Sequence, residues 1–248
     1  MEKVTLPALQ KMKGDGRKIV GVVAWDCQIA QIVDRAGVEI VSVGDSVGAN
    51  LWGQPTETEV TMEELLVVCK AVRRGVKRAL VSCDVPYGPV QAGSETAVSA
   101  ALRLAKEAGV DMVKVFGVPD TVRAIVRAGI PVFAEFHGRK ELPVEKLVEE
   151  AKRLKDAGAS LLDFRHSGPV AGAAVVRAVS IPVIGGLGGG PWLDGRMRMA
   201  HAAIGYAASN LESKTESYAN VAKIALDAIT AYAEDVRAGR HLKGQRPA

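Results

Sequence analysis

Short β-branched apolar runs recur along this chain, each ending in a polar residue or a glycine turn and each followed by a segment of helical length; nothing else in the sequence constrains the fold as much. The run Val41-Ser42-Val43-Gly44-Asp45-Ser46-Val47-Gly48 shows the pattern best, an apolar stretch that opens into a carboxylate, a hydroxyl and a glycine. Such a run reads as a buried parallel strand, because parallel strands are covered on both faces. The same reading places strands at Lys18–Trp25, Glu39–Asp45, Ala79–Cys83, Met112–Phe116, Pro131–Phe136, Leu161–Phe164 and Ile181–Ile184, with a weaker one at Met197–Ala200. Between them lie helical stretches at Cys27–Ala36, Thr61–Gly75, Ser94–Ala108, Asp120–Ala128, Glu141–Ala157 and Val170–Val179. A capping box at Thr61 and Glu64 starts one of these, and Gly109 and Gly129 stop two others. A short helix over Thr5–Lys13 precedes the first strand, and one or two helices over Thr215–Ala238 follow the last.

Alternating strands and helices with right-handed crossovers give a parallel sheet, and about eight such units close into a barrel. The 248 residues suit a single α/β domain over residues 1–248, a (β/α)8 TIM barrel with a short N-terminal helix and C-terminal helices. The net charge of +4 comes from scattered basic residues with few aromatics among them, which argues against a nucleic-acid partner. Cys27, Cys69 and Cys83 have no metal-binding or C-x-x-C spacing and read as buried thiols of a reducing cytosol. Met1-Glu2-Lys3-Val4 lacks the apolar core of a signal peptide, and no stretch is apolar for long enough to span a bilayer. The expectation is a cytoplasmic protein with no membrane partner.

In a barrel of this kind the C-terminal rim holds the active site. Asp45, Ser46, Asp84, Lys114, Glu135, His137, Arg165 and His166 all fall at strand ends and are expected to face one cavity. Carboxylates and a lysine are costly to bury unpaired, so their recurrence there points to chemistry. Asp45, Asp84 and Glu135 are the candidate ligands of a hard octahedral cation, Mg2+ or Mn2+. A 2-oxo acid could complete its shell and be activated at the carbon next to the keto group. The candidate catalytic residues are Glu135, Lys114 and Arg165, and Ser46, Lys114, Arg165, His137 and His166 are the candidate substrate contacts. The glycine loop 185–190 lacks phosphate-loop spacing, and Trp52 and Trp192 read as packing or lid residues.

Several segments in order resemble the ketopantoate hydroxymethyltransferase family over nearly the whole chain. They are Val43-Gly44-Asp45-Ser46-Val47-Gly48, Ala71-Val72-Arg73-Arg74-Gly75, Cys83-Asp84-Val85-Pro86, Met112-Val113-Lys114-Val115, Ile181-Pro182-Val183-Ile184-Gly185, Asp194-Gly195 and the run from Ala231 to Gly239. The resemblance implies a metal-dependent barrel of the phosphoenolpyruvate mutase and isocitrate lyase group. It further implies transfer of a one-carbon unit from methylenetetrahydrofolate to 2-oxoisovalerate, Mg2+, and a homo-oligomer that is often a decamer. By position, Asp45 and Asp84 match metal ligands, and Ser46 and Lys114 match groups that hold substrate oxygens. Phe116 stands where the family has a third metal-site glutamate, Glu135 where it has a histidine, and Arg165 where it has its catalytic glutamate. The segment Arg139-Lys140-Glu141-Leu142-Pro143 is shorter than the family's counterpart.

An arginine cannot accept a proton near neutral pH, but its guanidinium suits bidentate binding of a carboxylate or phosphate. The expectation is therefore a divergent family member that makes or breaks a C–C bond next to the keto group of a metal-bound 2-oxo acid. The alternatives are a true ketopantoate hydroxymethyltransferase and a catalytically silent binding or assembly protein.

Overall fold

The apolar runs alternate in phase, and the alternation decides which side of the sheet each residue faces. The structure is a computed structural model that describes residues 2–139 and 141–244, so Met1 of the leader reading and Lys140 of the shortened segment lie outside the described residues. The chain divides into two compact units, Met1–Arg198 and Met199–Ala248.

The first unit opens with α1 (Leu6–Gly14), capped by Thr5 and begun by Pro7, a residue suited to the first helical turn. It continues as β1 (Ile19–Val23), α2 (Cys27–Arg35), β2 (Ile40–Val43), α3 (Met62–Gly75), β3 (Leu80–Asp84), α4 (Tyr87–Gln91) and α5 (Ser94–Arg103). Then come β4 (Met112–Phe116), α6 (Pro119–Arg127), β5 (Val132–His137), α7 (Val144–Asp156), β6 (Leu161–Arg165), α8 (Pro169–Ala178), β7 (Val183–Gly185) and β8 (Gly195–Met199). The strands form a closed barrel in the order β1 to β8, the TIM barrel that the alternation implies. The capping box at Thr61 is present, with Thr61 and Glu64 each bonding the other's backbone N–H.

The outward phase of the strands, which includes Val41, Val43, Val81, Cys83, Val113, Val115, Ala134, Phe136, Leu162 and Phe164, packs beneath the helices in the larger apolar core. Phe136 and Phe164 stack there with ring centroids 4.3 Å apart. The inward phase starts apolar at the strand N-termini. Ile19, Ile40, Leu80, Met112, Phe133, Leu161, Ile184 and Met197 fill the barrel floor, and Val4, Leu9 and Met12 close it from below. This explains why a helix precedes the first strand: its buried face, Leu9 and Met12, covers apolar side chains that water would otherwise reach. One step higher the inward residues become small and polar, with the Ser82 hydroxyl donating to Ser42 at 2.7 Å. At the strand C-termini they become charged.

Three details of the barrel differ from the sequence reading. The helix expected from Glu141 starts at Val144, after Pro143. Short helical turns at Gly48–Trp52 and Tyr87–Gln91 occupy loops that carry no periodic signal. Strand β8 runs Gly195–Met199, two residues earlier than expected at its start, because Arg196 and Arg198 alternate outward with buried Met197.

The second unit holds α9 (Ala200–Ile204), a 3-10 turn at Ala208–Leu211 and α10 (Val221–Arg237). The last helix begins six residues after the expected Thr215, where the Asn220 side chain accepts the Lys223 N–H. Among the described residues no helix is long and apolar enough to cross a membrane.

Candidate functional site

Parallel register sets the site. Asp84 on β3 lies beside Lys114 on β4, Glu135 on β5 beside Asp163 on β6, and His137 beside Arg165. Each is an inward residue in the middle or upper half of its strand, so neighbouring strands deliver acids and bases together to one mouth.

Lys114 is the hub. Its ammonium bonds Glu135 Oε2 and lies 3.6 Å from Asp84 and 3.5 Å from Asp163. Burial works against its charge, but Asp84, Asp163 and Glu135 together raise its pKa, so it stays protonated. Glu135 Oε1 accepts from Arg165 Nη1 and from His137 Nε2, each at 2.7 Å. Burial opposes the Glu135 carboxylate, yet the His137 hydrogen bond and the Lys114 and Arg165 charges hold its pKa far below the usual range. Arg165 is in turn raised against its own burial by Glu135.

Asp84 is held differently. Its Oδ2 accepts the Asp45 N–H at 3.3 Å, while its Oδ1 is buried and has no hydrogen-bond partner among the described residues. Burial raises its pKa to about 7 despite Lys114, helped by the charges of Asp45 and Glu135. An orphaned carboxylate oxygen that feels the charge of a second carboxylate is suited to a hard cation, which commonly takes one or two carboxylates and completes its shell with water. Among the described residues no group of three or more His, Cys, Asp or Glu side chains is arranged to hold a metal ion. Glu135 cannot supply a third oxygen while both of its own are bonded to cations. The residues present therefore fit Mg2+ or Mn2+ at an edge made of Asp45 and Asp84.

The structure thus gathers Asp84, Lys114, Glu135, His137 and Arg165 into one bonded group, with Asp45 attached through its backbone. Ser46 lies just past β2, its Oγ packed close against Gly44. His166, the residue after Arg165, is exposed and makes an edge contact with the His137 ring at 6.2 Å. Phe116 is 46% exposed at the end of β4, edge-on to His137 at 5.6 Å, so an aromatic wall stands where the family resemblance places a carboxylate.

Two acids of this region are missing from the sequence reading. Asp163 is buried in the middle of β6; its Oδ1 accepts the Gly186 N–H at 2.8 Å, and burial raises its pKa against the pull of Lys114. That bond also turns an amide of the glycine loop 185–190 toward a carboxylate of the chain itself. The signal was available, because Asp163 falls between Leu161 and Arg165 at the inward spacing of two. Glu57, at the start of a 3-10 turn over Glu57–Glu59, is raised in pKa by partial desolvation and by Asp45, and feels the charges of Arg165, Lys114 and Glu135. No spacing in the sequence ties Glu57 to the mouth. Trp192 is a packing residue: its Nε1 donates to buried Ser167 at 2.9 Å.

Comparison with known proteins adds the following. The family profile described as Ketopantoate hydroxymethyltransferase matches residues 3–242. The 3-methyl-2-oxobutanoate hydroxymethyltransferase of Staphylothermus marinus is 34% identical over 257 aligned positions, covering 96% of this chain and 93% of that protein. The protein of the same name from Cyanothece sp. is also 34% identical, covering 94% and 96%. Among solved structures, 2,3-dimethylmalate lyase, described as a PEP mutase/isocitrate lyase superfamily member, aligns over 100% of both chains with a TM-score of 0.66 at 15% identity. Phosphonopyruvate hydrolase, solved in complex with oxalate and Mg++, aligns over 99% of this chain and 92% of that one with a TM-score of 0.62, also at 15% identity.

Proposed function

Since the chain belongs to the ketopantoate hydroxymethyltransferase family, we propose that it is a metal-dependent enzyme that makes or breaks a C–C bond, in the aldol or retro-aldol sense, next to the keto group of a 2-oxo acid. The observation that carries this reading is the unpartnered Asp84 Oδ1 beside Asp45, at a mouth whose fixed cations are Lys114 and Arg165. Asp45 and Asp84 would hold Mg2+, which when bound supplies Lewis-acid polarisation of a keto oxygen. Lys114, locked in the protonated state by three carboxylates, presents a fixed positive charge to an oxygen that becomes anionic during the reaction. Arg165 uses one N–H on Glu135 and keeps others for the substrate carboxylate. Glu135 has too little proton affinity to act as a base while its three donors are in place; it fixes the directions of Lys114, Arg165 and His137. Ser46 and His137 complete the substrate contacts.

The nearly full-length match to hydroxymethyltransferases favours a second reading, true ketopantoate formation with methylenetetrahydrofolate as the one-carbon donor. Incubation with 2-oxoisovalerate, Mg2+ and methylenetetrahydrofolate separates the two, since turnover typical of that family would establish the second. Calorimetric titration with Mn2+ and oxalate tests the shared premise. Binding is expected, and Arg165→Ala should weaken it about tenfold or more. No binding of metal, with or without oxalate, would leave a silent binding protein as the remaining explanation. Assembly as a homo-oligomer belongs to the same proposal and is read by light scattering, and cytoplasmic residence by fractionation.

A further inference from the structure

A cavity of about 530 Å3 opens beside the mouth, between the connection from β5 to α7 and the connection from β6 to α8. Leu142, Leu147 and Val170 give it apolar walls, and Arg139 and His166 give it basic ones. Arg139 follows β5 by two residues and makes no ion pair with any described residue, whereas Lys114 and Arg165 are both committed to Glu135. His166 has no side-chain hydrogen bond to a described residue. It is also the one described non-glycine residue with positive φ, at 52°. A histidine in the left-handed region is strained and persists only where its surroundings hold it there. Here the restraint is backbone packing. The His166 N–H bonds Leu187 O at 2.8 Å, and Gly138 N–H bonds Arg165 O at 2.7 Å. A Cβ on Gly138 would sit 2.2 Å from His166 O, and one on Gly188 would sit 2.7 Å from His166 Nδ1. Gly138 thus packs against the His166 carbonyl and Gly188 against its backbone and imidazole, which lies edge-on to the His137 ring, itself bonded to Glu135 in the mouth.

We propose that this cavity is a subsite for a second anionic group of the substrate, so that the chain acts on 2-oxo acids carrying a distal carboxylate or phosphoryl head across a short apolar spacer. The inference rests on the function proposed above. The 2-oxo acid end sits in the mouth, the spacer runs past His166 along Leu142 and Val170, and Arg139 with His166 receives the distal anion through charge-assisted hydrogen bonds. Such a head explains basic side chains left without acids in a cavity that is otherwise apolar.

The test is calorimetry in Mg2+ with oxalate, 2-oxopentanoate, 2-oxoglutarate and 2-oxo-4-phosphonobutanoate, on the intact protein and on Arg139→Ala and His166→Asn. Asparagine tolerates the left-handed region, and Arg139 is exposed, so both variants are expected to fold, which circular dichroism checks. One or both of the two-headed acids should bind about tenfold tighter than 2-oxopentanoate, the tighter identifying the head as carboxylate or phosphoryl. Each variant should erase most of that preference, and Arg139→Ala should leave oxalate affinity unchanged within roughly twofold, since oxalate fills the mouth alone. Equal affinity for one-headed and two-headed acids, or a preference that survives Arg139→Ala, overturns the proposal. So does Arg139-dependent binding of 5-formyltetrahydrofolate without any two-head preference, which would give the cavity to a folate. Absence of oxalate binding alongside an Arg139-dependent preference would sink the mouth reading and spare the cavity, and silence from all four probes would sink both.

Discussion

The floor and the mouth of the barrel are built by the same strands in the same inward phase, yet they solve opposite problems. Met112 and Lys114 are successive inward residues of β4, Phe133 and Glu135 of β5, Leu161 and Asp163 of β6. At the floor the inward layer is apolar, closed by α1, and stabilised by burial that water opposes nowhere. At the mouth, burial raises the pKa of Asp84 and of Asp163, and it disfavours the charges of Lys114, Glu135 and Arg165, which mutual pairing then restores. A sheet whose register is fixed by its apolar half can therefore carry a charged half that would not hold itself together. The floor specifies the fold and the mouth uses it.

The sharpest way to break this division is to remove the hub. Lys114→Met deletes the one cation, among the described residues, that stands within ion-pair distance of Asp84, Glu135 and Asp163 together. Removing one member of a buried charged group costs roughly 3–5 kcal/mol, and removing a fixed donor from a reacting centre costs about a hundredfold to a thousandfold in kcat. Both losses are expected, read by urea unfolding and by turnover. A variant of unchanged stability would show that the acids reorganise freely and that the mouth is not a pre-set electrostatic site.

Phe133→Ala tests the floor. Phe133 is fully buried, and its loss should cost about 3–5 kcal/mol while leaving the oxalate affinity of the folded protein unchanged, measured by calorimetry well below the melting temperature. A large fall in affinity would mean that the two layers are mechanically coupled.

What could be read from the sequence follows the same division. The strands and helices are legible because they rest on local signals: β-branched runs, stop glycines such as Gly109 and Gly129 with φ of 69° and 83°, and a capping box. The set of rim residues was legible too, because strand ends are visible in the sequence. Their pairing was not. Whether Glu135 is a free base or an anchored anion depends on Lys114 and Arg165, which other strands deliver into reach of the same carboxylate. Asp163 sits inside an apolar run, where phase reveals it and composition does not. Glu57 sits on a loop whose course no periodicity encodes.

Asp84 sharpens the comparison through pH. Its folded pKa of about 7 exceeds the usual carboxylate value of 3.8, so the folded state holds the proton more tightly than the unfolded state does. Stability from this group is complete below 3.8 and is lost as pH rises through about 7. In metal-free protein the unfolding free energy should therefore fall with rising pH across that window by up to about 4 kcal/mol, roughly 1.4 kcal/mol for each unit between the two values. Asp84→Asn should flatten the slope, and Mg2+, which favours the anion, should raise the melting temperature more at pH 8 than at pH 5. A metal-free profile that rises through the window would contradict the burial of an unpartnered oxygen.

Asp34 is the counterpart near the floor, and it gives the smallest effect. It is a carboxylate as well buried as Asp84, but it lies in α2 where the chain enters β3, and it accepts the backbone N–H groups of Lys77 at 3.0 Å, Arg78 at 3.1 Å and Ala79 at 2.8 Å. Burial alone would raise its pKa; the three amide bonds, with the Arg78 charge behind them, outweigh it and lower it. The sign of the linkage is then opposite to that of Asp84. The contribution is present above the unfolded value of 3.8 and lost as pH falls through the lowered folded value, because acid protonates an oxygen that the amides need bare. Asp34→Asn keeps the shape, replaces one acceptor oxygen by an amide donor facing N–H groups, and should cost about 1 kcal/mol at pH 7. That deficit should shrink in acid, where the parent protein loses its own advantage, so urea midpoints of the two proteins should converge as pH drops below 3.8. Opposite pH slopes for two equally buried aspartates would separate a carboxylate that the backbone has already satisfied from one left open to a ligand.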